Sequence, residues 1–114
     1  MGRIVYCINP PEHLKGRVVI IDGAKNTNSK QFLNSMWEQL DMPYPQWQNW
    51  DGYLDWMRDL SWINEKEINI IITNFSLLLK DEIEKKEWVV SDFKNIIFPY
   101  FSQEEKEINV YCTG

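Results

Sequence analysis

Three short runs rich in β-branched residues, separated by segments long enough for helices, constrain this chain more than any other feature. Residues 17–22 read Arg-Val-Val-Ile-Ile-Asp and stop at Gly23; residues 68–73 and 108–112 are similar in character. Continuous apolarity without alternation is typical of a strand that is covered on both faces, as in parallel sheets. Because parallel strands need long crossovers, the order strand, helices, strand, helices, strand predicts an α/β fold built on a three-stranded parallel sheet.

The segments between these runs carry helix signals. Asn28 is suited to cap a helix, and Gln31 three residues later completes a capping box ahead of apolar residues at helical spacing. Pro99 lacks the N–H that a continuous helix uses, so it should kink or divide the helix that contains it. We expect helices at about 28–41, 49–60, 77–86 and 88–101.

The N-terminal residues lie outside this pattern. Ile4–Ile8 is a short apolar run that Asn9-Pro10-Pro11 ends, and it can form a fourth, edge strand with a return loop over residues 9–16. The chain shows no internal repeat and no low-complexity stretch. We therefore expect one domain over residues 1–114, in which residues 1–17 are an N-terminal extension.

Composition excludes several classes of function. The net charge is −5 and the sequence pI is near 4.8, so direct nucleic-acid binding is not expected, because affinity for phosphates comes mainly from cations. No apolar run is long enough to span a membrane or to form a secretory signal. Cys7 and Cys112 have no second cysteine near them, and His13 is the single histidine. We expect reduced thiols, a cytoplasmic location, no metal, no cofactor and no catalytic residues.

The acidic residues concentrate in one aromatic segment. Residues 41–60 carry four acidic side chains and one basic side chain. With Trp50 set at 0° on a helical wheel, Asp51, Asp55 and Asp59 fall at about 100°, 140° and 180°. The apolar positions between about 240° and 340° are Tyr53, Trp56, Met57 and Leu60. The pattern predicts a helix with one acidic face and an opposite face in the core.

A solvated helix surface is the ordinary interpretation of such a stripe. Two features favour a binding surface instead. Like charges at i,i+4 repel and Asp is a poor residue for a helix interior, so the stripe costs local stability. The preceding loop also carries Trp47, and an aromatic ring beside a row of carboxylates is typical of an interface with a cationic partner.

The segment from Asn49 to Asp55, which reads Asn-Trp-Asp-Gly-Tyr-Leu-Asp, resembles the N-[WL]-D-[AG]-[LY]-x-D segment of the barstar family of ribonuclease inhibitors. The match extends without a gap from Gly23 to Leu60, and more loosely over residues 18–113. The resemblance implies a barstar-like α/β fold and an inhibitor that blocks a basic nuclease site with its second helix and the preceding loop.

Carried over by position, the two family aspartates fall on Asp51 and Asp55. The partner-binding residues that the resemblance and the wheel together indicate are Trp47, Gln48, Asn49, Trp50, Asp51, Leu54, Asp55 and Asp59. The implied partner is a basic, ribonuclease-like toxin, and the chain would be an immunity protein that is monomeric when free.

The sequence departs from the family in four places. Before the helix it reads Pro45-Gln46-Trp47-Gln48, without the family's aromatic pair and glycine. Arg58 places a cation beside the acids, the family's further acid falls near Tyr100, and residues 1–17 have no counterpart in the minimal inhibitor. These differences indicate a divergent member that recognises a different nuclease.

Two other functions remain open from the sequence. A barstar-like module could bind a partner that is not a nuclease. Alternatively, Asp51 and Asp55 could hold a divalent cation or act as an acid/base pair in an enzyme. The enzyme hypothesis is the weaker one, because no glycine-rich phosphate-binding motif is present.

Overall fold

The computed structural model describes residues 2–43, 49–101 and 106–114. The strands are β1 (Arg3–Cys7), β2 (Arg17–Asp22), β3 (Glu67–Thr73) and β4 (Glu107–Thr113). The helices are α1 (Ser29–Gln39), α2 (Trp50–Met57), α3 (Ile83–Asp92) and the short α4 (Phe98–Tyr100). Single 3₁₀ turns lie at Gly23–Lys25 and Phe75–Leu77, and a π-helical turn at Phe93–Ile97 joins α3 to α4.

The strands form one sheet in the order β1-β4-β3-β2, and every neighbouring pair is parallel. The predicted α/β class and parallel pairing are confirmed. The optional edge strand also forms, at Arg3–Cys7 rather than Ile4–Ile8, and it pairs with β4 so that Ile4 lies opposite Val110. The sheet therefore has four strands instead of the minimal three.

One face of the sheet carries the core. Alternate residues of the strands point to this face, and those of β2, β3 and β4 share one buried cluster with residues from all the helices. The cluster includes Ile70 and Val110 from the sheet, Phe32 from α1, Tyr53 from α2 and Phe93 from the π-helical turn. The helices therefore lie together on this face, and it sets the position of α2.

The opposite face is covered differently, which corrects the expectation that the first predicted strand is buried on both sides. Val18 and Ile20 on β2 are 41% and 55% exposed. Asn69 on β3, in contrast, is fully buried and donates from Nδ2 to the carbonyl of Lys15. The segment that connects β1 to β2 therefore covers the inner strands but leaves the second face of β2 open.

Local chemistry sets the start of α1. The Asn28 side chain accepts from the backbone N–H of Gln31 at 2.9 Å, as the sequence predicts. The side chain of Gln31 reaches the N–H of Thr27 rather than that of Asn28, so the reciprocal bond of the capping box is shifted by one residue. The helix occupies Ser29–Gln39 within the predicted range 28–41.

The predicted helix at 77–86 is wrong. Leu78 and Leu79 are fully buried, and Leu79 has a positive φ of 53° that no α-helix accommodates. The N–H of Leu79 donates to the carbonyl of Asn26, and the N–H of Asp81 donates to that of Thr27. These residues pack against the segment before α1, so long-range hydrogen bonds replace helical ones.

The following helix begins at Ile83, not at residue 88, and remains helical through α4. Its hydrogen-bond pattern widens into the π-helical turn just ahead of Pro99, so the helix changes type before the proline but is not divided there. Among the described helices, none is long and apolar enough to cross a membrane.

Candidate partner-binding face

The acidic stripe lies on the outer side of α2, as the helical wheel predicts. Tyr53, Met57 and Leu60 have no solvent exposure, whereas Asp51 and Asp55 are exposed. Asp59 follows the helix in a turn and is half-buried. The helix is shorter than the predicted 49–60, because helical geometry ends at Met57 with Arg58 as its C-cap.

Trp56 differs from the wheel's expectation. Its side chain is half-buried rather than in the core, and its ring meets Trp62 edge-on with 6.1 Å between centroids. The indole N–H of Trp62 donates to the carbonyl of Leu40 at 2.9 Å. The two indoles thus border the helix and tie it to the end of α1, while Met57 is the core residue of this turn.

Side chains hold the start of α2 and the turn that follows it. At its start, Asn49 Oδ1 accepts from the N–H of Gly52 at 2.8 Å. After its end, Leu60 takes a positive φ of 53°, and Lys106 donates from Nζ to the carbonyls of Leu60 at 3.0 Å and Ile63 at 2.7 Å. The acidic residues are therefore presented on a helix with a capped start and a fixed turn after its end.

Lys106 stands at the start of the last strand and is separated from Leu60 by 46 positions. Its burial lowers the pKa of the ammonium group, and the neighbouring Glu65 and Asp59 oppose that effect. This lysine could not be identified from the sequence, because nothing local marks it as the group that satisfies carbonyls after α2.

One of the three carboxylates is paired within the chain. Asp55 Oδ1 accepts from Nη2 of Arg58 at 2.8 Å, and Arg58 Nε also donates to the carbonyl of Leu54. Within the described part of the chain, Asp51 and Asp59 form no ion pair. The side chain of Asp55 remains 70% exposed, so screening by solvent keeps this pair weak and both its charges accessible.

Trp50 anchors the helix. Its ring stacks on Phe32 of α1 at 5.7 Å and meets Tyr53 and Trp88 edge-on at 5.1 and 6.0 Å. Its indole N–H donates to Oδ2 of Asp92 on α3 at 2.7 Å. Only the remaining exposed edge of this half-buried side chain is available to a partner.

The other predicted contact residues have mixed positions. Asn49 is exposed, and Leu54 is half-buried beside the acidic stripe. Trp47 and Gln48 lie outside the described residues. Asp51 and Asp55 thus share the exposed side of α2, with Asn49 at its N-cap, Leu54 half-buried in the same helix and Asp59 in the turn after it.

Trp88 on α3 extends this surface and was not identified from sequence. It is 42% exposed, and the ammonium of Lys85 lies 3.6 Å from the centroid of its ring. The contact with Trp50 places Trp88 next to the start of α2. In the sequence, the charged residues around Lys85 indicate only a solvated helix end. The packing of α3 against α2 is therefore what reveals Trp88 as a neighbour of Trp50.

A cleft of about 340 Å³ lies at the end of the acidic stripe that Asp59 forms. Asp59, Glu65 and Tyr100 line it together with Lys66 and Lys106. Tyr100, where the family pattern would have its further acid, is half exposed and stands at the border of this cleft. Glu65 accepts from Arg17 Nε at 2.9 Å, so part of the local negative charge is already compensated.

Burial raises the pKa of the Tyr53 hydroxyl, and the nearby carboxylate of Asp92 adds to the effect. The phenol therefore stays neutral at physiological pH. Among the described residues, no group of three or more His, Cys, Asp or Glu side chains is arranged to hold a metal ion. Cys7 and Cys112 are free thiols, and burial raises the pKa of Cys112 to about 11.

Comparison with known families agrees with the geometry. The sequence model described as Barstar (barnase inhibitor) matches residues 16–112, which is most of the chain. The chain belongs to the barstar family. No curated protein and no solved structure gives a significant match to it.

The barstar-family range includes α2, the acidic stripe and three of the four strands. It begins at residue 16, so β1 and nearly all of the segment that covers the second face of the sheet lie before it. The N-terminal extension, predicted as residues 1–17, thus has a definite structural role as an added edge strand and a cover for β3.

Proposed function

We propose that this barstar-family chain inhibits a cationic, ribonuclease-like toxin by placing the acidic side of α2 in its active site. The observation that carries the proposal is the fixed presentation of Asp51 and Asp55. Both are exposed on a helix whose opposite side is in the core and whose start Asn49 caps, and Lys106 holds the turn that follows it. In this role the chain is an immunity protein.

The charges favour a basic partner. Carboxylates at fixed positions can replace substrate phosphates against the cations of a nuclease site, and preorganised groups lose less freedom on binding. A net charge of −5 would also attract a cationic partner over distances of about 10 Å at moderate salt.

The composition of α2 supports a binding role over a purely structural one. Asp51 lies in the first turn, where the helix dipole favours a carboxylate, but Asp55 stands four residues later, where like charges repel, and Gly52 between them costs about 1 kcal/mol relative to Ala. Residues that destabilise an exposed helix while contributing nothing to the core are expected where function selects them. A solvated surface would not require this combination.

The decisive experiment begins with affinity capture by the intact chain from its source cell, followed by an assay of the captured protein for ribonuclease activity. We expect a basic protein whose activity the chain inhibits stoichiometrically. Capture of a partner without nuclease activity would instead support the non-nuclease binding module.

The second step measures the affinity of the captured partner for Asp55→Ala. We expect a loss of at least about 2 kcal/mol, which is roughly thirtyfold, because truncation leaves partner cations desolvated and unpaired. Asp81→Ala is the matched control, since Asp81 is exposed and its backbone bonds to Thr27 before α1. Its affinity should stay within about twofold of the original protein.

Folding and salt dependence complete the test. Asp55→Ala should change the free energy of unfolding by less than about 0.5 kcal/mol, since the loss of the Arg58 pair is offset by better helix propensity. Association with the partner should slow as salt rises. Normal binding by Asp55→Ala would mean that the stripe is only solvated, and the proposal would be wrong.

A further inference from the structure

A groove between β1 and α3 lies apart from the acidic side of α2. Tyr6 from β1 forms one wall, Phe75 contributes the base, and Ile83 and Val90 from α3 form the other wall. Its volume is about 480 Å³. Tyr6 meets Phe75 edge-on, with 5.8 Å between ring centroids. The groove is thus an apolar surface with a defined shape.

Its walls are unusually open for apolar side chains. Tyr6 is 59% exposed and Ile83 is 61% exposed. Ile8, just beyond the end of β1, is 91% exposed. Exposed apolar side chains that are clustered, rather than scattered singly, are typical of interaction surfaces.

Two lysines give the groove a positive border. The ammonium of Lys86 lies 4.5 Å from the centroid of the Phe75 ring. Lys94, eight residues further along the chain, also lines the groove. Neither lysine forms a salt bridge among the described residues. Glu87 is the one acid that lines the groove, so the border keeps a net positive charge on a chain of net charge −5. Carboxylates are the complementary groups.

The backbone of β1 is also free on one side. It is the outermost strand of the sheet, and within the described residues its backbone bonds only along the β4 ladder. An extended segment added to this edge would place every second side chain on the same face of the sheet as Tyr6. Those side chains would enter the groove between Tyr6 and α3.

We propose that this surface, the β1–α3 groove, binds an extended segment of a protein partner that adds to the edge of β1. The segment carries an apolar side chain for the groove and carboxylates on the same face for Lys86 and Lys94. The proposal goes beyond the inhibitor function, because β1 lies before the range that matches the barstar family.

The groove and the acidic face can be occupied at the same time. On α3, Trp88 and Asp92 contact Trp50 of α2, whereas Lys86 and Val90 line the groove on the other flank of the same helix. The groove would therefore recruit a second, acidic partner to a chain whose α2 engages a basic one.

The test uses synthetic peptides and the intact chain, labelled with ¹⁵N, in an NMR titration. The probe is an end-capped heptapeptide, Thr-Glu-Thr-Leu-Thr-Glu-Thr, in which one face of a strand presents Glu, Leu and Glu. We expect saturable shifts of backbone amide signals confined to β1, the Phe75 turn and α3. The same peptide with Lys in place of both Glu should bind at least about fivefold more weakly.

The variants assign the binding to the groove. Lys86→Gln combined with Lys94→Gln should weaken the glutamate peptide at least about fivefold. The matched control combines Lys25→Gln with Lys30→Gln, which removes the same charge from exposed positions elsewhere and should leave affinity within twofold. Unchanged urea midpoints would show that both double variants are folded.

A third peptide, N-methylated along the edge that would pair with β1, should lose binding if strand addition is correct. Equal binding of the glutamate and lysine peptides, equal effects of the two double variants, or shifts located away from β1 and α3 would each overturn the proposal. An absence of saturable shifts up to millimolar peptide would overturn it as well.

Discussion

Helices α2 and α3 both place charged groups beside aromatic rings, but they do so in opposite ways. On α2 the carboxylates of Asp51 and Asp55 extend into solvent, away from the ring of Trp50. On α3 the ammonium groups of Lys85 and Lys86 lie over the rings of Trp88 and Phe75. The first arrangement offers charge to a partner, and the second combines charge with apolar surface.

The two helices also differ in the groups that hold their ends. α2 has a side-chain cap at its start and the Lys106 ammonium after its end. α3 begins at Ile83, its N-cap residue Glu82 makes no side-chain capping bond, and the helix continues into a π-helical turn. The carboxylate of Glu82 instead accepts from the N–H and hydroxyl of Ser29 at the start of α1. Side-chain hydrogen bonds thus hold the start of α2 and the turn after it, whereas the start of α3 is tied to α1 through the carboxylate of Glu82.

The two surfaces should therefore recognise their partners through different forces. A partner of α2 should depend on long-range electrostatics, so salt should change its association rate strongly. A partner of the β1–α3 groove should depend on apolar burial, and Lys86 and Lys94 should favour partners that carry carboxylates.

The largest effect is expected for Met57→Ala, on the buried side of α2. Met57 has no solvent exposure, so truncation should destabilise the protein by roughly 2–5 kcal/mol through lost packing and the remaining cavity. Urea unfolding measures this directly. Asp55→Ala, two residues earlier on the exposed side, is the control, and comparable destabilisation by both would contradict the two-sided description of α2.

Lys106→Met should have an intermediate effect of about 1–3 kcal/mol on the free energy of unfolding, because the carbonyls of Leu60 and Ile63 lose a charged donor. Lys80→Met, at an exposed position, should change stability little. Hydrogen exchange in Lys106→Met should increase most in the turn that follows α2. Unchanged exchange there would show that Lys106 does not hold this end of the helix.

The smallest effect belongs to the cap at the start of α2. Asn49→Ala removes the acceptor for the Gly52 N–H and should cost about 1 kcal/mol of stability. Asn49→Ser should recover most of the loss, since serine also caps. Thermal or urea denaturation of the three proteins decides the point, and a serine variant as unstable as the alanine variant would mean that capping is not the cause.

Several parts of the fold could be predicted because their signals are local. The β-branched runs at 17–22, 68–73 and 108–112 predicted three strands of a parallel sheet, and all three form. Asn28 predicted the start of α1 through a bond that spans three residues. The wheel placed Asp51 and Asp55 on the exposed side because the helical repeat fixes which residues share a side.

The failures occurred where distant residues decide the outcome. Leu77-Leu78-Leu79 resembles the start of a helix, but the N–H of Leu79 bonds to Asn26, and Leu78 and Leu79 enter the core. The exposed side of β2 could not be predicted either, since Val18 and Ile20 have the apolar character of a buried strand. Their exposure depends on which strand lies at the edge and on where the N-terminal segment crosses.

The sequence alone therefore determined the α/β class, the parallel sheet, the cap of α1 and the acidic side of α2, because each depends on residue types within a few positions. Only the tertiary structure decided that Trp50 bonds to Asp92, that Lys106 holds the turn after α2 and that Tyr6 meets α3 across a groove. These pairs are separated by tens of positions. The topology of the sheet and helices brings them together, and no periodicity or capping pattern in the chain encodes that proximity.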